Sequence, residues 1–121
     1  MTANNAIRII RRDESLKSVQ EMGTHMRLLF ENDWLEIVTT EMEPQNSLES
    51  NELPDFAAVH FVAEGGILFH SSDRSVFLMP GDGISLREGE EYTISNPTSS
   101  RSVIWTLLFK KPEPGRNGGG L

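Results

Sequence analysis

Few side chains in this sequence can do chemistry. There are three histidines, His25, His60 and His70, a single tyrosine, Tyr92, and no cysteine. The absence of cysteine removes disulfides, thiolate nucleophiles and cysteine-based zinc sites. The histidines are scattered along the chain and form no spaced ligand set. His60 stands inside an apolar run, FAAVHFVA, and Tyr92 inside GEEYTIS. An imidazole and a phenol in apolar surroundings can act as acid and base, or can orient a bound ligand. Packing is the commoner role of each residue taken alone. A rearranged metal site joining His60 to Glu41, Glu43 or Glu52 is a further option. His70 borders the turn Ser71-Ser72, and His25 begins an apolar run. Glu88, Glu90 and Glu91 read as a solvated turn, and Arg74 and Arg101 as surface charges. Trp34 and Trp105 are expected to fill the core or a sheet-to-sheet contact.

Short strands must position these groups. Ala6 to Ile10 alternates as a brief strand, and Arg11 to Gly23 is polar enough for a helical turn or a loop. His25 to Phe30 and Trp34 to Met42 flank Glu31-Asn32-Asp33, which predicts a hairpin. Glu43 to Asp55 has two prolines and no pattern, so it reads as a loop. Further strands are expected near 56–63, 67–70, 75–79, 84–86, 91–95 and 102–110, separated by Gly-Gly, Ser-Ser-Asp, Pro-Gly-Asp and Asn-Pro turns. No stretch has a convincing helical period. About ten short strands with frequent turns predict an antiparallel sandwich or small barrel.

The composition bounds the function. With 121 residues the chain makes one domain, and 37% hydrophobic with 24% charged residues fits a globular protein. Residues 1–5 are expected to be disordered, 6–111 to form the barrel, and 112–121 to be a disordered tail. A net charge of -7 argues against nucleic acid as a partner. No apolar run is long enough to span a membrane, and polar residues precede the first apolar patch, the wrong order for a signal peptide. A cytoplasmic location is the resulting expectation.

Gly81 to Asn96, GDGISLREGEEYTISN, follows Met79-Pro80 and resembles the second motif of the cupin family, G-x5-P-x-G-x2-H-x3-N. Gly81, Gly89 and Asn96 fall in register. Arg87 stands at the motif's proline and Tyr92 at its metal-binding histidine. The first motif, G-x5-H-x-H-x3,4-E-x6-G, is matched at its closing glycine by Gly65. Its glutamate position then falls on Ala58, and its histidine positions on Asn51 or Glu52 and on Leu53 or Pro54. The resemblance spans Trp34 to Phe109. It implies an all-β, antiparallel double-stranded β-helix (the cupin jelly-roll barrel) with every metal position replaced, hence neither a metal nor another cofactor. If Ala58 points into that barrel, alternation aims His60 and Val62 inward too. From Tyr92 the same argument aims Ile94 inward and puts Glu90 at the mouth. His60 and Tyr92 are therefore the expected ligand-binding residues. Small barrels of this family often pair, which implies a homodimer, and an isolated AIRII strand needs a sheet edge for a partner in any case.

The leading functional expectation is a barrel that binds a small molecule in its interior without a metal, as a sensor or carrier. One alternative is a metal-independent sugar isomerase or epimerase using His60 and Tyr92 as its acid–base pair. Another is a dioxygenase-like metal enzyme with unorthodox ligands.

Overall fold

The computed structural model describes residues 7–110. Within them lie ten strands: β1 Lys17–Glu21, β2 Thr24–Glu31, β3 Leu35–Met42, β4 Ser47–Glu49, β5 Ala57–Glu64, β6 Ile67–Ser71, β7 Arg74–Leu78, β8 Gly83–Leu86, β9 Thr93–Ser95 and β10 Ser102–Phe109. They form a six-stranded sheet, β1-β2-β3-β10-β5-β8, and a four-stranded sheet, β4-β9-β6-β7. All pairings are antiparallel. This is the antiparallel all-β architecture that the turn spacing implied, in the jelly-roll form that the motif resemblance implied.

Alternation decides what each strand buries. Ile104 and Leu108 of β10, Val38 and Met42 of β3, and Ala58 and Val62 of β5 face the space between the sheets. Leu48, Ile67, Phe69, Leu78 and Ile94 meet them from the smaller sheet. Asn96 closes this core at one end. Its amide donates to the carbonyls of Met42 and Ser100 at 2.9 and 2.8 Å, and its side-chain oxygen accepts from the Thr98 amide and hydroxyl.

Four local expectations are corrected. Ile7 to Ile10 is not a strand. Instead this segment lies along the outer side of the larger sheet, with Arg8 over the Phe30 ring and Arg12 beside Glu41. Residues 1–5 and 112–121 lie outside the described residues. The segment 11–23, expected to be a helical turn or a loop, contains β1, an edge strand whose five residues are all exposed and so carry no hydrophobic signature. The supposed loop 43–55 contains β4 and a 3-10 turn, Ser50–Glu52. Trp34 is 74% exposed, because it stands in the β2–β3 turn, where the Asn32 side chain accepts from the Trp34 and Leu35 amides. Trp105 is half-buried on the outer face, opposite Thr39 and Phe61.

Candidate functional site at the barrel mouth

His60 lies in β5 opposite Thr106 of β10, and both are fully buried. Thr106 Oγ1 is 2.8 Å from His60 Nδ1, and His60 Nε2 is 2.9 Å from the Tyr92 hydroxyl. The three side chains thus form one hydrogen-bonded chain running from the sheet toward the mouth. Tyr92 stands one residue before β9 and is held by reciprocal bonds. Its carbonyl accepts from the Ser50 amide at 2.9 Å, and its own amide donates to Ser50 Oγ at 3.2 Å. Its ring meets His60 edge-on at 5.6 Å and packs on Phe69 at 5.5 Å.

Burial sets the protonation states. It pushes the His60 imidazolium down to about 4, so the ring is neutral near pH 7. It pushes the Tyr92 phenol up to about 12, so the hydroxyl keeps its proton. A neutral imidazole donates through one nitrogen and accepts through the other. If Thr106 donates to Nδ1, then Nε2 donates to the Tyr92 oxygen and the phenolic proton is free to point outward. The opposite tautomer turns that proton inward, onto Nε2.

The outer end of this chain opens on a cleft of about 1160 Å3, lined by Tyr92, Thr93 and the loops around the mouth. A recess of about 340 Å3 continues from it between Leu53, Phe56, Leu86 and Tyr92. His60 lines neither and sits in the wall behind Tyr92. Carboxylates dominate the rim: Glu49, Asp73, Glu88, Glu90 and Glu91 stand against Arg87. The loop carrying most of them is tied down where the Gly89 amide donates to Asp55 at 2.8 Å, and Gly89 takes a φ of 83° that favours glycine.

The donors present do not fit a metal at the family position. Ala58 offers none, and both nitrogens of His60 are already engaged by Thr106 and Tyr92. Glu41 points to the opposite face, where Arg27, Arg101 and Arg12 lie 3.0, 3.6 and 3.7 Å away. Glu43 is exposed, and Glu52 accepts from the Glu49 amide. Among the described residues no group of three His, Asp or Glu converges on one point. His70 is exposed and bonds Ser75, and His25 contacts Arg27. Sequence reasoning missed Thr106 and Ser50, because each reaches the site only through strand register.

No family model matches this sequence, and no curated protein matches it. Solved structures do. An RmlC-like cupin from Shewanella frigidimarina superposes with a TM-score of 0.70 at 13% identity, over 85% of this chain and 90% of that one. The chain has the cupin fold. A predicted oxalate decarboxylase from Thermotoga maritima superposes with a TM-score of 0.71 at 16% identity, over 86% of this chain and 100% of that one. A cupin-superfamily sugar phosphate isomerase from Silicibacter pomeroyi gives 0.63 at 14%, over 74% and 61%. These neighbours have different functions on one cupin scaffold, so function must be argued from the site.

Proposed function

We propose that this cupin barrel binds a small polar molecule at its mouth in the cytoplasm, without metal or other cofactor, as a sensor or carrier. The carrying observation is the buried chain Thr106–His60–Tyr92, whose last member, Tyr92, is also part of the cleft wall. Proton-transfer chemistry is the weaker reading. Burial holds the phenol near 12 and the imidazole near 4, so proton transfer between them is strongly uphill. A hydroxyl fixed by a neutral histidine suits orientation of a ligand instead. The carboxylate-rich rim disfavours anions, so a neutral or cationic hydroxylated compound fits better than a sugar phosphate.

Calorimetric titration with neutral polyols, amines and sugar phosphates tests this. Neutral or cationic compounds should bind, and Tyr92→Phe should weaken them about tenfold. Binding confined to anions, or unchanged by Tyr92→Phe, would overturn the reading. The same proposal includes a homodimer. Ile7 and Ile9 are 85% and 71% exposed, and Phe61 and Phe109 stay part-exposed on the outer face of the larger sheet. A monomeric mass by light scattering at tens of micromolar would refute the dimer.

A further inference from the structure

The larger sheet has six strands and the smaller four, and β1 and β2 form one edge of the larger. Register and alternation aim Lys17 and Val19 of β1, with Leu28 and Met26 opposite them on β2, toward the inner side of the sheet. They are faced there by Glu52, Leu53 and Pro54, with Val38 and Leu108 also in the wall. Together these residues line a half-open pocket of about 240 Å3. Neither His60 nor Tyr92 lines it, and Leu53 and Pro54 are walls of both this pocket and the recess under Tyr92.

The chemistry of this pocket differs from that of the mouth. Its walls are Met26, Leu28, Val38, Leu53 and Leu108, all apolar, so water inside would find few hydrogen-bond partners. An apolar cavity of about 150 Å3 is already enough to take up benzene. At the rim Lys17 stands with Glu36 and Glu52, and Lys110 lies 3.8 Å from Glu36. With both signs present, a charged ligand of either sign meets a like charge. We propose that this pocket is a second binding site, separate from the mouth, for an uncharged ring compound of one or two fused rings.

Indole is a suitable probe, with the protein labelled at its methionine methyl groups and followed by NMR. The Met26 methyl should shift saturably, with half-saturation at or below about 1 mM. Cross-relaxation should connect indole to the methyls of Leu28, Val38 and Leu108. Val19 is 54% exposed at the rim, so Val19→Trp can lay its own ring over the opening, and it should weaken indole about tenfold. Tyr92→Phe should leave the shift unchanged, which keeps this site distinct from the proposed function. No saturable shift, or cross-relaxation to residues of the mouth, would overturn the proposal. So would loss of binding in Tyr92→Phe. If Val19→Trp does not fold, the cross-relaxation pattern of the unaltered protein decides.

Discussion

His60 couples the core to pH. Its imidazolium is pushed from 6.5 to about 4 by burial, so between those values the unfolded chain binds more protons than the folded one. Stability is therefore full above about pH 6.5 and falls as pH drops toward 4, by about 3 kcal/mol in all. Urea unfolding at a series of pH values should show that loss, and a His60 ring titrating near 6.5 in the native state would contradict it. Thr39 offers a change in the other direction. It is buried, and among the described residues its hydroxyl has no hydrogen-bond partner. Thr39→Val keeps the shape and should raise stability by about 1 kcal/mol in the same assay. At this scale His60 and Tyr92 were legible from motif spacing, since Ala58 and Tyr92 mark positions that face inward. Thr106 was not, because it lies 46 residues from His60 and meets it only once β10 pairs with β5.

At the scale of elements, the strands with apolar alternation were legible, and β3, Leu35–Met42, falls within one residue of the expected Trp34 to Met42. Strand β1 was not, since an exposed edge strand has nothing to bury. Ile7 to Ile10 misled for the converse reason: its apolar side chains belong to a segment with no strand partner. The glycine turns were legible, and their costs differ. Gly65 has a φ of 75°, and a Cβ there would lie 2.5 Å from Ser102 Oγ and 2.8 Å from the Arg101 carbonyl. Gly65→Ala should cost about 2 kcal/mol or more, because backbone on the neighbouring strand would have to move. A Cβ on Gly83 would instead lie 2.7 Å from the Phe61 ring, which is 43% exposed and can swing away, and 3.0 Å from the His60 carbonyl, which must give by a few tenths of an ångström. Gly83→Ala should therefore cost less than Gly65→Ala, about 1 kcal/mol. Thermal melts of the two variants would compare them, and equal losses would refute the distinction.

For the whole molecule, the antiparallel β architecture was legible from the turns and its cupin form from the motif at Gly81 to Asn96, whereas the pocket beside β1 and β2 was not, since its walls come together only through strand pairing and the 52–54 segment. The position of β10 has a consequence for synthesis. Although it is the last strand among the described residues, β10 sits in the middle of the larger sheet, pairing β3 on one side and β5 on the other. A ribosome that has translated only as far as β9 has released β1-β2-β3 and β5-β8 as fragments with nothing to join them. Both fragments present apolar faces and open edges during that interval. The six-stranded sheet must therefore form after translation of residue 109 rather than strand by strand. A chain stopped at residue 101 should show no cooperative melt and should aggregate, whereas one stopped at residue 110 keeps every strand pairing described. Until β10 is made, the two halves of the larger sheet thus depend on whatever shields unpaired strands at the exit tunnel.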